Sequence, residues 1–171
     1  MSFSIVIPSN NAERLLTVLR RIHEMEPWLS GKSVRIIIDG QDLTSWKGME
    51  GFIGDAFWHR GVEPFVFARN VNIGLRRCAD LGHDAILLND DALLETPRGF
   101  TTLAEEMRHN PEIGILSPTC NSIGNPNQAN RSHPDCSMVI LEKRMLCFVC
   151  VYIRHAVFAG GMYLDERYID Y

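Results

Sequence analysis

The 171-residue sequence lacks the features that would place it in a membrane or in a secretory pathway. No apolar run approaches the roughly 20 residues that span a bilayer, and no basic stretch followed by a signal-peptide core opens the chain. Cysteine is scarce, and its five residues are scattered over half of the chain. Such an odd, dispersed set is typical of reduced thiols rather than of a disulfide framework. We therefore expect a cytoplasmic protein.

The sequence also lacks the basic excess that general nucleic-acid binders carry. Lysine and arginine number 17, against 21 aspartates and glutamates, so the formal net charge is −4. The hydrophobic content of 46% suffices for a substantial core, and no linker or internal repeat divides the chain. We predict a single domain over residues 1–171 that does not bind nucleic acids in general.

Two phosphate-binding loops are absent. The dinucleotide fingerprint G-x-G-x-x-G would follow the first strand, where this sequence has Pro8-Ser9-Asn10-Asn11. The loop G-x-x-x-x-G-K-[ST] is not found either. These absences disfavour an NAD-dependent enzyme and a P-loop NTPase, so phosphate recognition would need another device, such as a divalent cation held by carboxylates.

What the sequence does contain is an alternation of apolar runs and helical patterns, which is typical of an α/β fold with a mostly parallel sheet. Predicted strands cover residues 3–8, 34–38, 64–68, 85–88 and 113–116, and a further apolar, strand-like stretch covers 137–153. Predicted helices cover residues 15–25, 75–81 and 97–109. Asn10 or Asn11 would cap the first helix and Thr96 the last, with Pro97 at its first position. Residues 117–136 are rich in Asn and Pro, which predicts a long loop, and this loop is a candidate to line the binding site of a second substrate.

Polar side chains follow the predicted strands, at the edge where open α/β sheets bind ligands. In chain order they are Ser9-Asn10, Asp39, Asn72 with Gly74, and Asn89-Asp90-Asp91. Neighbouring carboxylates at the end of a strand are hard oxygen ligands that suit Mg²⁺ or Mn²⁺, and such an ion can bridge to a diphosphate. The same residue types also favour turns and helix caps, so a purely structural interpretation of each stays open.

Five segments, in order over nearly the whole chain, resemble family 2 glycosyltransferases of the GT-A fold. They are SIVIP-SNN, IIIDG, NVNIG, AILLNDD and GGMYLDERYIDY. The resemblance implies a GT-A α/β/α sandwich of three layers around a mostly parallel mixed sheet. It also implies inverting transfer of a sugar from a nucleotide-diphosphate sugar, carrying UDP, GDP or dTDP, to an acceptor hydroxyl, with Mn²⁺ or Mg²⁺ as cofactor.

The resemblance also assigns roles to residues. Asp91 would bind the metal, and Asp39 would meet the base of the nucleotide. The nucleotide sugar would contact Pro8, Ser9, Asn10, Asp39, Arg69, Asn72, Gly74, Asn89 and Asp90, although either Asn70 or Asn72 can match the amide of the family.

The C-terminal segment resembles the stretch that precedes the catalytic base of the family. The sequence stops at Tyr171, at or just before the acidic pair of the family. We therefore expect a domain that lacks its C-terminal acceptor-side elements, with Asp165, Glu166 or Asp170 available as the base. Self-association would then cover apolar surface near residues 149–158.

Three other interpretations follow from the same residues. A GT-A-like module that binds nucleotide sugars without turnover would share every motif except the base. A nucleotidyltransferase would need a G-x-G-T loop after the first strand, which is absent. Zinc at Cys147 and Cys150 is disfavoured because strand alternation would point the two thiols to opposite faces. Zinc at His133, Cys120 and Cys136 is disfavoured because these residues do not form the compact ligand pairs of a zinc site.

Overall fold

A computed structural model describes residues 2–29, 33–38, 56–129 and 146–168. In this part of the chain the strands are β1 (Phe3–Ser9), β2 (Val34–Ile38), β3 (Phe57–Arg60), β4 (Asp84–Leu88), β5 (Ile115–Leu116) and β6 (Cys150–Ile153). The helices are α1 (Ala12–Met25), α2 (Phe67–Leu81), α3 (Gly99–His109) and the short α4 (His155–Phe158). Pro126–Gln128 form one 3-10 turn. Asp39, His133, Cys136 and Asp170 lie outside the described residues.

The six strands form one mixed sheet in the order β3-β2-β1-β4-β6-β5. Strands β1 to β4 run parallel to one another, whereas β6 runs antiparallel to both β4 and β5. In β1, Ile5 and Ile7 belong to a core cluster shared with α1 and α3, and Val6 belongs to a second cluster shared with α2. Because helices cover both faces of the sheet, the predicted three-layer α/β/α sandwich is confirmed.

The third strand lies earlier in the chain than predicted. Strand β3 pairs with β2, and the stretch 64–68, predicted as a strand, leads instead into α2. Helix α2 also begins well before the predicted residue 75. The reason is helical periodicity: Ala68, Val71 and Leu75 share one buried face, and packing that face on the sheet outweighs the strand propensity of the aromatic run before it.

Helix α3 begins at Gly99, two residues after the predicted Pro97, and Thr96 is not its cap. Thr96 uses its carbonyl to accept the Gly99 N–H in a turn, and Arg98, at the N-cap position, has a left-handed φ of 60° with no capping side-chain bond. The cap comes from a distant residue: Glu26 Oε1 accepts the N–H groups of Phe100 at 2.7 Å and Thr101 at 3.1 Å.

The C-terminal strand β6 begins at Cys150, and the described residues before it, 146–149, contain a turn. Cys147 therefore precedes the strand, and the predicted alternation of Cys147 and Cys150 across a strand is wrong. The four described cysteines are free, and Cys78 and Cys150 are buried. Among the helices of the described ranges, none has both the length and the apolar character to cross a bilayer.

Gly74, predicted to lie near the sugar donor, is buried where α2 packs on β1. A Cβ atom at this position would lie 2.3 Å from Cγ1 of Val6. We expect Gly74→Ala to lower the free energy of unfolding by about 1–3 kcal/mol through overpacking. Urea denaturation would measure this, with Gly160→Ala as control because nothing lies within 4 Å of its Cβ position. Equal losses in the two variants would contradict the packing role of Gly74.

Candidate functional site

The centre of the candidate site is the junction of the neighbouring strands β1 and β4. Strand β1 ends at Ser9, which is buried, and β4 ends at Leu88, next to Asn89. Ser9 Oγ donates a hydrogen bond of 2.6 Å to Oδ2 of Asp90. The turn after β4 is therefore joined to the end of β1, as the carboxyl-edge position of both segments predicts.

Asn89 is held by its backbone and leaves its side-chain oxygen without a partner. Its N–H donates to the carbonyl of Val149 at 2.9 Å, and its carbonyl accepts the N–H of Ala92 at 3.1 Å. Its Oδ1 is buried and has no hydrogen-bond partner. A buried acceptor of this kind is costly unless a ligand or a cation satisfies it.

Asp90 and Asp91 carry adjacent carboxylates at this strand end. Burial raises the pKa of Asp90, the neighbouring charge of Asp91 raises it further, and the hydrogen bond from Ser9 acts in the opposite direction. Asp91 is exposed at the mouth of the site. A cation beside the pair would relieve both the burial cost and the repulsion.

The donor set fits a divalent cation that a diphosphate would share. Within the described ranges, no three His, Cys, Asp or Glu side chains converge into a complete metal cage. Mg²⁺ commonly takes only one or two protein carboxylates and completes its shell with phosphate oxygens and water. Asp90 and Asp91 can supply those carboxylates, with the unsatisfied Oδ1 of Asn89 close to them in sequence.

The start of the chain shapes the other wall of this site. Pro8 is buried in β1, paired in register with Ile37 of β2, and Asn10 is exposed. Of the two candidate caps of α1, it is Asn11 that acts: its Oδ1 accepts the Arg14 N–H at 3.0 Å. Asn10 is therefore left with its side chain at the surface, between the end of β1 and α1.

Asn72 lies inside α2, not in a loop after a strand, and it binds the C-terminal segment. Its side chain is 1% exposed. Its Oδ1 accepts the Leu164 N–H, and its Nδ2 donates to the Leu164 carbonyl and to Oε1 of Glu166, all at 2.9 Å. Asn70, the alternative amide, instead accepts the N–H of Val62 at 2.9 Å. The two amides therefore hold different segments, a distinction that the sequence left open.

The predicted catalytic acids Asp165 and Glu166 are both paired with arginines. Arg76 donates to Glu166 at 3.1 Å, and Nε of Arg69 lies 4.0 Å from it. The hydrogen bond from Asn72 is the largest cause that lowers the pKa of Glu166, and the hydrogen bond and charge of Arg76 lower it further. Hydrogen bonds from Arg167 lower the pKa of Asp165 to about 2. Arg69, predicted to contact the donor, thus stands beside the C-terminal segment.

We expect Asp90→Asn to raise the melting temperature of the metal-free protein at pH 7 by on the order of 2 °C. Because the folded-state pKa of Asp90 is raised, its stabilising contribution is complete at low pH and is lost as the pH rises through that pKa. An amide avoids this loss and can still accept from Ser9. Thermal melts with a chelator should show the gain at pH 7 and none at pH 3. A less stable variant at pH 7 would contradict the raised pKa.

Comparisons with known proteins agree with this architecture. No protein-family model matches the sequence, and no curated protein matches it significantly. Among solved structures, the chain is similar to S. aureus TarS 1-349, with a TM-score of 0.69 and 11% identity over 99% of this chain and 52% of that one. The same protein in complex with UDP-GlcNAc gives a TM-score of 0.65 and 13% identity over 97% and 49%. The chain thus spans about half the length of these TarS chains.

A third similar structure is the mannosyltransferase PcManGT from Pyrobaculum calidifontis in complex with GDP-Man and Mn²⁺. Its TM-score is 0.54, with 17% identity over 73% of this chain and 36% of that one. At these levels of identity the similarity shows a shared fold. The chain has the GT-A fold, as the sequence motifs predicted.

Proposed function

We propose that the chain binds a nucleotide-diphosphate sugar together with Mn²⁺ or Mg²⁺ and transfers the sugar, with inversion, to an acceptor hydroxyl. The observation that carries the proposal is the junction of β1 and β4, where Ser9 holds Asp90 beside Asp91. Adjacent carboxylates at a strand end, one half-buried and one exposed, have little structural use, but they suit a cation that binds a diphosphate. The complexes of the similar structures, with UDP-GlcNAc and with GDP-Man and Mn²⁺, support this donor class.

In this proposal the donor lies across the carboxyl edge of the sheet. Asp91 and Asp90 would hold the cation, which neutralises charge on the departing diphosphate when it is bound. The unsatisfied Oδ1 of Asn89 would accept a hydrogen bond from the nucleotide. Pro8, Ser9 and Asn10 would line the nucleotide pocket, and Asp39 stays a predicted partner of the base.

The acceptor side is assigned to the C-terminal segment. An acceptor hydroxyl must lose its proton as it attacks the anomeric carbon, and a carboxylate within hydrogen-bond reach can take it. Asp165 and Glu166 are candidates, but their lowered pKa values make both of them weak bases. Asp170 stays a predicted alternative. The acceptor itself, self-association and a cytoplasmic location also stay predictions.

A second candidate function is a module that binds nucleotide sugars without turnover. The observation that favours it is the pairing of both described candidate bases with arginine, Asp165 with Arg167 and Glu166 with Arg76. A carboxylate whose charge is already neutralised gives little driving force for proton abstraction. The two functions therefore share the donor site and differ only in catalysis.

One experiment distinguishes the transferase from the binding module. Calorimetry of UDP, GDP and dTDP, each with Mn²⁺ and again with a chelator, tests donor binding, and product analysis with the matching nucleotide sugars tests hydrolysis and transfer. Metal-dependent binding with turnover supports the transferase. Metal-dependent binding without turnover supports the binding module, and the absence of binding to every nucleotide refutes both functions.

A further inference from the structure

An arginine that no sequence motif singled out stands at the entrance of the proposed donor site. Arg14 and Arg21 lie two turns apart on α1, so they share one side of the helix. Nε of Arg21 donates to the carbonyl of Leu94 at 2.8 Å. The segment that follows β4 therefore lies along this side of α1.

The beginning of that segment lies at the beginning of α1. Asp90 accepts from Ser9, and Ser9 Oγ also accepts the Asn11 N–H at 3.1 Å. Residues 90–94 thus run beside α1 from its first turn toward Arg21, and Asp90 lies next to the first turn, to which Arg14 belongs. The N–H of Arg14 donates to Oδ1 of Asn11 at 3.0 Å, so Arg14 belongs to the same turn that holds Ser9 and, through it, Asp90.

The guanidinium of Arg14 is available for a ligand. Arg14 is exposed, and in the described part of the chain its side chain makes neither a hydrogen bond nor an ion pair. Its counterpart Arg21, in contrast, is bound to both Leu94 and Glu24. A guanidinium presents several donors in a fork that matches phosphate oxygens.

The charge balance of the proposed site calls for such a group. A divalent cation offsets the charges of Asp90 and Asp91, and it leaves the negative charge of a bound diphosphate largely uncompensated. A further cation at the site would stabilise both the bound donor and the leaving diphosphate. Arg14, in the first turn of α1, is the arginine that lies nearest in the chain to Ser9, which holds Asp90.

We propose that Arg14 binds the diphosphate of the nucleotide donor, next to the cation held by Asp90 and Asp91. This inference rests on the proposed function and adds a residue to it. Arg14 contributes affinity to nucleoside diphosphates and little to nucleosides, because it contacts phosphate and not the base or the ribose.

The test is calorimetry of Arg14→Ala with UDP, GDP, uridine and guanosine in the presence of Mn²⁺. The matched control is Arg20→Ala, which removes an exposed arginine from the same helix farther from Ser9. We expect Arg14→Ala to weaken binding of the preferred diphosphate about tenfold, to leave nucleoside binding within about twofold, and to be partly rescued by Arg14→Lys. Melting temperatures of all variants would verify that each is folded.

Each other outcome overturns the inference in a recognisable way. Diphosphate affinity equal to that of Arg20→Ala overturns the role of Arg14 while the proposed function stands. Unchanged diphosphate affinity with tighter Mn²⁺ binding assigns Arg14 only to offsetting Asp90. An unchanged chain that binds none of the nucleotides refutes the proposed function and this inference together.

Discussion

Asp91→Ala is expected to weaken Mn²⁺-dependent binding of UDP or GDP by at least about 100-fold, because it removes one of the two carboxylates available to the cation. Asp91 is exposed in a turn beyond β4, so its loss should leave packing unchanged. Calorimetry in Mn²⁺ measures the effect directly. The residual, metal-free affinity should equal that of the unchanged chain in a chelator, since both then lack the same cation.

The matched control for this prediction is Asp80→Ala. Asp80 is an exposed aspartate of α2 that pairs with Arg77 at 3.6 Å, so its removal changes net charge by the same amount without touching the strand end. Both variants should melt near the temperature of the unchanged chain. Unchanged nucleotide affinity in Asp91→Ala, with metal present, would remove the main argument for the proposed function.

Glu26→Ala is expected to lower the free energy of unfolding by about 3 kcal/mol. Glu26 is 1% exposed, and its two oxygens accept the N–H groups of Phe100 and Thr101 and, at 2.8 Å, the Thr101 hydroxyl. Alanine would leave the N–H of buried Phe100 and the N–H of half-buried Thr101 without their acceptor at the start of α3. Urea denaturation measures the loss.

Two further variants identify the cause of that loss. Glu26→Gln keeps an oxygen acceptor for the backbone of α3 and should lose clearly less stability than Glu26→Ala. Glu24→Ala, in α1 just before Glu26, removes an exposed glutamate paired with Arg21, and it should cost at most about 1 kcal/mol. If Glu26→Ala were no more destabilising than Glu24→Ala, the capping role would be wrong.

Much of the fold could be predicted from the sequence because strands such as β1 and β4 are buried on both faces. The run Val34–Ile38 is apolar except for Arg35, and its positions in the sequence and in the structure agree. The start of α2 could not be predicted, since its apolar residues fit a strand locally and only packing on β1 selects the helix. The start of α3 could not be predicted either, because its cap, Glu26, comes from another part of the chain.

Some parts of the candidate site could likewise be predicted from the sequence, and others could not. The Asn89-Asp90-Asp91 end of β4 was predicted, since position after a buried strand suffices to place it at the ligand-binding edge. The contact of Asn72 with Leu164 and Glu166 was not, because it joins residues 92 and 94 positions apart. Arg14 was missed for a related reason. Its proposed role depends on the segment after β4 that packs beside α1, and no local sequence pattern predicts that packing.

The position of β6 has a consequence for how the protein is made. Although β6 follows β5 in the chain, it lies between β4 and β5 in the sheet, so β4 has an open edge until residues 150–153 have left the ribosome and paired. An open edge of a buried, apolar strand is a template for intermolecular pairing. Nascent chains that stall before Cys150 should therefore aggregate or recruit chaperones, while chains extended beyond Ile153 can close the sheet.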